Sequence, residues 1–282
     1  MTAPRTFPAL DIRWPPGSDP DDAFGRLLAA IDDARPTSAE ETADGARVFF
    51  ASAGDRDRAA AIIPAGLTYV AVAVPDEGWA ERSQASLSAI HVGRITVAPP
   101  WAPEAQAPAG GDHVSIVIQP SMGFGTGHHA STRLCLSLMQ QIDVARTRVL
   151  DLGTGSGVLA IAAVKLGAAS VLAIDFDPDA LASAEENLEL NGAPDRVTLQ
   201  SVDLSRETSL LGGSFDLVLA NLTGAMLARE AQTIAGLIAP NGRLIVSGVE
   251  AHEAETVERS FASAGLTIAG REDADGWVGV LF

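Results

Sequence analysis

Cysteine is almost absent from this chain: Cys135 is the only one in 282 residues. A single thiol excludes an intrachain disulfide and any metal site built on a cysteine cluster. Leu134, Leu138 and Ile142 recur around it at helical spacing, so Cys135 is expected to pack on a helix face rather than act as a nucleophile. Long apolar runs are missing as well. None approaches the roughly 18 uncharged residues that a membrane helix needs, and the N-terminal stretch MTAPRTFPALDIRW lacks the apolar core of a secretory signal. A cytoplasmic protein without membrane contact is expected. Positive charge is scarce: 19 Lys and Arg stand against 36 Asp and Glu, a formal net charge of −17. Because Lys and Arg drive nucleic-acid binding by releasing counterions, direct contact with nucleic acid is not expected. A basic partner suits such a surface, although acidity also serves plain solubility. What is plentiful is apolar residues, 47% of the chain, enough for one large domain and a smaller companion.

The pattern changes along the chain. In residues 1–75, FPALDIRW reads as a strand and DPDDAFGRLLAAIDDA as a helix, with Asp19 as N-cap, Pro20 in the first turn, and Phe24, Leu27, Leu28 and Ile31 on one face. SAEETADGARVFFAS reads as a hairpin turning at Asp44-Gly45, DRDRAAAIIPA as a helix and LTYVAVAV as a strand. The resulting β-α-β-β-α-β order predicts a small α+β, ferredoxin-like domain. Residues 76–112 form a connector with one strand, HVGRITVAP, and a Pro/Ala/Gly run, WAPEAQAPAGGD. Residues 113–282 alternate strand and helix. HVSIVIQP, TRVLDLG, SVLAID, RVTLQSVD, FDLVLAN and GRLIVSG read as strands. TRLCLSLMQQI, SGVLAIAAVKLG, DALASAEENLELNG, Ala225 to Ile238 and Ala251 to Ala264 read as helices. The fold class is therefore α/β, a mostly parallel Rossmann-like sheet covered on both faces. LTIAGREDADGWVGVLF closes it with an antiparallel C-terminal hairpin.

The chemistry concentrates at strand ends. In LDLGTGSGVLAI a strand delivers Asp151, and Gly153, Gly155 and Gly157 then turn the chain into a helix. Glycines there permit a tight turn and close approach of a ligand to the helix N-terminus. Val158 occupies the place of the third glycine in a dinucleotide fingerprint, which disfavours a nicotinamide enzyme. Asp175, ending the next strand about 20 residues on, is placed to accept both hydroxyls of a ribose. Asp177 before Pro178 reads as a helix N-cap. Asp203 at the end of QSVD could meet an exocyclic amine or cap a turn. Upstream lies GFGTGHHAST, with adjacent histidines His128 and His129. No third ligand has metal spacing, so no metal is expected, and no P-loop lysine follows. A general-base or a positioning role for the histidines stays open.

Taken together, DLGTGSG, AIDFDP, SVDL and FDLVLAN resemble the successive motifs of class I S-adenosylmethionine-dependent methyltransferases. The resemblance implies S-adenosyl-L-methionine as cofactor. It sets Gly153 and Gly155 against the methionine part, Asp151 nearby, Asp175 on the ribose, and Asp203 with Leu204 around the adenine. DEGWAERSQASLSAIHVGRITVAPPW, GFGTGHHASTRLCLSLM, VLDLGTGSGVLAIAAVKLGA and ANLTGAML are together similar to the bacterial methyltransferases of large-subunit ribosomal protein eleven. That similarity implies a recognition domain ahead of the catalytic one. It also implies a lid in which Phe124, Thr126 and Gly127 close over the cofactor, with His129 on the family's histidine. By the same resemblance Asn221 and the carbonyl of Leu222 receive the attacking amine and Asn221 also borders the cofactor. N-L-T-G stands where the family carries N-I-L-A-G, and Trp79 with Ser83 to Ile90 matches a plainer version of its connector. The implied activity is N-methylation of lysine, and of an α-amine, on ribosomal protein eleven by a monomer. Methylation of another protein's lysine, or a non-catalytic S-adenosylmethionine-binding assembly factor, are the alternatives.

Overall fold

A computed structural model of the chain describes residues 6–15, 27, 30–31, 34, 36–42, 44–64, 66–75, 88–106, 112–120, 127–204, 206 and 211–282. The chain divides into two compact units, Met1–Ser86 and Leu87–Phe282.

In the first unit, β1 (Thr6–Arg13), β2 (Pro36–Thr42), β3 (Gly45–Phe50) and β4 (Thr68–Pro75) form one sheet in the order β2-β3-β1-β4. All its pairings are antiparallel. The Asp44-Gly45 dipeptide turns the β2–β3 hairpin as expected, and a side chain at Gly45 would meet the Ile12 carbonyl oxygen at 1.8 Å, so glycine is required. Helix α1 (Ala53–Ala61) begins two residues before the expected Asp55, because the Ser52 hydroxyl accepts from the Asp55 N–H at 3.2 Å and caps the helix. Leu10, Ile12, Val48, Phe50 and Ala59 make the core together with Leu27 and Ile31. Of the helix expected between β1 and β2 the structure describes Leu27, Ala30, Ile31 and Ala34, while Asp19, Pro20, Phe24 and Leu28 lie outside the described residues.

In the second unit, β5 (Ile90–Val92), β6 (Ile95–Ala98) and β7 (Val114–Val117) form a three-stranded sheet. Two expectations change here. HVGRITVAP is a hairpin rather than one strand, because Gly93 takes φ 56° and reverses the chain before Arg94. HVSIVIQP contributes β7 to this small sheet, parallel to β6, rather than to the large one. The large sheet holds β8 (Arg148–Leu152), β9 (Ser170–Asp175), β10 (Val197–Ser201), β11 (Phe215–Asn221), β12 (Ile238–Glu250), β13 (Gly270–Ala274) and β14 (Trp277–Leu281). Their order is β10-β9-β8-β11-β12-β14-β13. Strands β8 to β12 run parallel, and β14 returns antiparallel beside β12. The β13–β14 hairpin turns on Asp275 and Gly276, both left-handed at φ 51° and 79°.

Among the described residues, five helices cover the sheet: α2 (Ala130–Met139), α3 (Val158–Lys165), α4 (Pro178–Leu190), α5 (Gly224–Ala235) and α6 (Ala254–Ser263). Alternation along the strands sorts the core. Val149, Val171, Ala173, Leu217 and Ile245 face one helical layer that includes Cys135 and Leu138. Leu150, Leu152, Ile174, Val218 and Val246 face the other, with Leu227, Ile234, Val257 and Phe261. The helix expected to reach Ile238 stops at Ala235, and Ile238 instead opens β12, paired with Phe215. Between that pairing and the next, Leu217 with Arg243, the Pro-Asn-Gly segment bulges out with Asn241 left-handed at φ 64°.

Candidate active site

Strand β8 has β9 on one side and β11 on the other. The chain proceeds from β8 outward to β9 and β10 and then crosses to β11, so strand order reverses between β8 and β11. A crevice opens outside the carboxyl ends of the strands at such a reversal. The sequence-predicted residues collect at this end of the sheet: Asp151 and the glycines after β8, Asp175 closing β9, Asp203 after β10, and Asn221 closing β11.

The glycine turn is a built object. Gly153, Gly155 and Gly157 take φ values of 69°, 53° and 80°, a region open to glycine at no steric cost. A Cβ on Gly153 would lie 2.6 Å from Leu222 Cδ2, so the turn and the end of β11 touch. The turn is stitched to β9 by the Thr154 N–H donating to the Ile174 carbonyl at 2.9 Å and the Gly155 N–H to Asp175 Oδ2 at 3.0 Å. Asp175 Oδ1 receives the Asp177 N–H at 3.1 Å, which fixes the carboxylate while leaving lone pairs on both oxygens. Asp177 caps α4 through the Asp179 N–H, as its place before Pro178 predicts. Phe176, between the two, is 74% exposed; sequence reasoning passed over it as part of a strand end.

Asp151 is buried to 1% exposure. Its Oδ2 accepts the Thr154 hydroxyl at 2.7 Å, while Oδ1 is buried with no hydrogen-bond partner among the described residues. Burial pushes its carboxyl up to about 6, against the downward pull of the Thr154 hydroxyl and the Ala160 N–H. A buried, half-satisfied carboxylate beside a glycine turn is a receptor for a cation or a hydrogen-bond donor. Cys135 lies close enough to feel the Asp151 charge, and burial raises its thiol far from the thiolate range, so it is inert packing as expected.

Across the crevice, Asn221 Nδ2 donates to the Thr132 hydroxyl of α2 at 3.3 Å, and the Leu222 N–H donates to the Ser247 carbonyl at 3.1 Å. Gly248, at φ 81°, has no room for a side chain: a Cβ would stand 2.4 Å from the Leu222 carbonyl oxygen and 3.1 Å from Asn221 Oδ1. Glycine there leaves both oxygens, the two that could accept an amine, close to open backbone. Thr223 sits at the N-cap of α5 without a side-chain capping bond. Asp203 pairs loosely with Arg206 at 3.6 Å on the rim, and Leu204 behind it is buried.

Of the glycine-rich loop, Phe124, Gly125 and Thr126 lie outside the described residues, as do Trp79 and most of Ser83 to Ile90. Gly127 is described, left-handed at φ 87° and packed on Val97 and Ile90. The two histidines after it are anchored. His129 is the N-cap of α2, with Nδ1 accepting the Ser131 N–H at 3.3 Å, and its ring meets Trp277 edge-on at 4.4 Å. The helix thus starts at Ala130, two residues before the expected Thr132. The His128 Nε2–H donates to the Ser88 carbonyl at 2.9 Å, and the His128 backbone carbonyl accepts from Arg133, which also reaches Asp275 at 2.5 Å. The buried His128 Nδ1 has no hydrogen-bond partner among the described residues. Arg133, Trp277 and Asp275 were not legible as site residues, because they meet the loop only once the C-terminal hairpin folds back on α2. Among the described residues no group of three His, Cys, Asp or Glu could hold a metal ion, and no helix is long and apolar enough to cross a membrane.

Comparison with known proteins bears on this geometry. The model of the ribosomal protein L11 methyltransferase (PrmA) family matches residues 56–282. A ribosomal protein L11 methyltransferase of Symbiobacterium thermophilum is 39% identical over 209 residues, which are 74% of this chain and 66% of that protein. One of Myxococcus xanthus is 40% identical over 207 residues, 72% of this chain and 68% of that protein. The chain thus spans about two thirds of the length of these curated relatives. The crystal structure of a ribosomal protein L11 methylase from Lactobacillus delbrueckii subsp. bulgaricus superposes with a TM-score of 0.63 at 31% identity, covering 69% of this chain and 97% of that one.

Proposed function

The chain belongs to the ribosomal protein L11 methyltransferase family, and on that premise we propose that it transfers methyl groups from S-adenosylmethionine to nitrogens of ribosomal protein L11, on lysine side chains and the α-amine. One observation carries the reading: the strand-order reversal brings the glycine turn after β8 against Asn221 and Leu222 at the end of the adjacent β11, with Leu222 Cδ2 touching the place of a Gly153 side chain. A cofactor seat and an amine-receiving strand end therefore share one crevice.

The residues present fit the cofactor. The unpartnered Asp151 Oδ1 would receive its ammonium, directly or through water, and the glycines leave space for its methionine part. Asp175, preset by two backbone N–H groups, would take the ribose hydroxyls. Phe176 offers an exposed aromatic face beside it for the adenine, whose amine Asp203 would meet. When bound, S-adenosylmethionine supplies an electrophilic methyl carbon on a sulfonium.

The chain's own work is to present a neutral nitrogen in line with that carbon. A lysine ammonium, with an ordinary pKa near ~10.4, first gives up its proton. Exclusion of water and the nearby positive charge both favour the neutral amine, so no strong base is needed. Asn221 Oδ1 and the Leu222 carbonyl accept the remaining amine hydrogens and aim the lone pair. Thr132 holds the Asn221 amide in that orientation by accepting from its nitrogen. Work is done in the cytoplasm by a monomer, on a basic protein drawn to the acidic surface. Residues 1–75 serve recognition of that protein.

The test is transfer of labelled methyl groups from S-adenosylmethionine to purified ribosomal protein L11, followed by mass spectrometry of the product. Methyl-lysine in that product, lost in Asn221→Ala while S-adenosylhomocysteine still binds, is the expected result. Cofactor binding without label on any protein would overturn catalysis in favour of a binding role, and label on a different protein would reassign the substrate.

A further inference from the structure

Helix α4 carries two asparagines, Asn187 and Asn191, that a reading of its apolar periodicity passes over. Asn is a poor choice inside a helix, since its amide competes for backbone hydrogen bonds, and Asn187 is fully buried at 0% exposure. Burial of an amide is tolerable only when its partners are fixed. Those of Asn187 are two backbone groups from different parts of the unit. Its Nδ2 donates to the Ser156 carbonyl inside the glycine turn at 2.9 Å, and its Oδ1 accepts the Gln119 N–H beyond the end of β7 at 2.7 Å. Asn191, one helical turn on and capping α4, both accepts the Val117 N–H at 2.9 Å and donates to the Val117 carbonyl at 2.6 Å. Ala184, three residues before Asn187 and so on the same face, packs where a Gly157 side chain would be, at 3.3 Å. One face of α4 therefore touches the glycine turn at Ser156 and Gly157, and meets β7 and its continuation at Val117 and Gln119.

We propose that Asn187 is a positioning residue for the cofactor site: by fixing the Ser156 carbonyl it sets the shape of the Gly153–Gly157 turn and ties that turn to the backbone at Gln119. The physical reason is the turn's composition. Three glycines with φ above 50° can relax to other conformations at little steric cost, so something outside the turn has to select one. Thr154 and Gly155 are held from the β9 side, and Asn187 holds Ser156 from the helix side. Asn191 holds Val117 of β7 and the Asn187 carbonyl, and does not touch the turn.

The inference rests on the S-adenosylmethionine reading, and the test separates the two. Binding of S-adenosylhomocysteine and of 5′-methylthioadenosine, which lacks the amino-acid half, is measured by calorimetry for the full chain and for Asn187→Ala, Asn187→Asp and Asn191→Ala. Asn187→Asp keeps the acceptor for Gln119 but removes the donor to Ser156, so it serves if Asn187→Ala does not fold. The expected result is a dissociation constant for S-adenosylhomocysteine raised at least tenfold in both Asn187 variants. Methylthioadenosine should change less than about threefold, because it does not reach the turn, and Asn191→Ala should leave both ligands within about threefold. Parallel loss of both ligands, or no loss of either, in the Asn187 variant that folds would overturn the proposal. Failure of the unaltered chain to bind either nucleoside would instead overturn the cofactor reading.

Discussion

Replacing Asp151 by Asn should make the protein more stable and less able to bind its cofactor. The carboxyl is pushed up to about 6 from 3.8, chiefly by burial. A folded-state pKa raised above the unfolded one means that the native state holds the proton more tightly between about pH 4 and 6, so stability falls as pH rises through that window. Above it the ionised carboxylate costs about 3 kcal/mol, from a shift of roughly two units at 1.36 kcal/mol each. Asn can still accept the Thr154 hydroxyl and carries no charge to desolvate. Thermal unfolding at pH 8 should therefore rise by about 5–10 °C in Asp151→Asn, with the gain shrinking steadily toward pH 5. Calorimetry at the same pH values should show S-adenosylhomocysteine binding weakened at least tenfold, since the ligand's ammonium loses its counter-charge. A variant no more stable than the parent at pH 8, or a gain independent of pH, would refute the view that Asp151 is a strained receptor.

Other substitutions probe the neighbouring parts. Gly153→Ala must adopt φ 69° against Leu222 Cδ2, a cost of about 1–2 kcal/mol, and S-adenosylhomocysteine binding should disappear in titrations where the fold persists by circular dichroism. Phe176→Ala, removing a 74% exposed ring, should leave unfolding unchanged and weaken nucleoside binding by about 1–3 kcal/mol, the size of a base–aromatic stack; unchanged affinity would free Phe176 of any role. Arg133→Ala breaks an ion pair whose Asp275 side is 72% exposed, so stability should move by less than about 1 kcal/mol, while release of the His128 carbonyl should raise KM for S-adenosylmethionine. In the first unit, the Arg47 guanidinium holds the Asp11 carboxyl below its usual range. That contribution is present above the unfolded pKa and lost as pH falls through the lowered one; Arg47→Met should abolish it, visible as a flatter acid-denaturation curve.

The turns and caps around the crevice were readable in the chain because short-range chemistry specifies them. Three glycines in five residues announce a turn with left-handed angles, and Asp177-Pro178 announces a helix start. Each of these needs only its neighbours. The alternation of strands and helices likewise dictated a parallel sheet, and the D-G dipeptide at Asp44 dictated its hairpin. Errors arose where distant backbone outvoted local propensity. HVGRITVAP has strand composition throughout, yet β7 offers a parallel edge to half of it, and Gly93 allows the reversal. Ile238 continues a helical apolar pattern, but pairing with Phe215 captures it for β12.

By itself, then, the sequence determined the class of fold, the order of its elements and the residues at strand ends, because those follow from periodicity, turn chemistry and capping within a few residues. Only the tertiary structure decided how these ends meet. It set Leu222 over Gly153, left Asp151 Oδ1 buried without a partner among the described residues, fixed His129 on Trp277, and gave Asn187 two backbone groups to hold. Such contacts join segments tens of residues apart, and side chains commit to them only after the sheet has assembled. Their energies depend on burial and on what else is left to satisfy a buried polar atom, quantities that no local stretch of sequence contains.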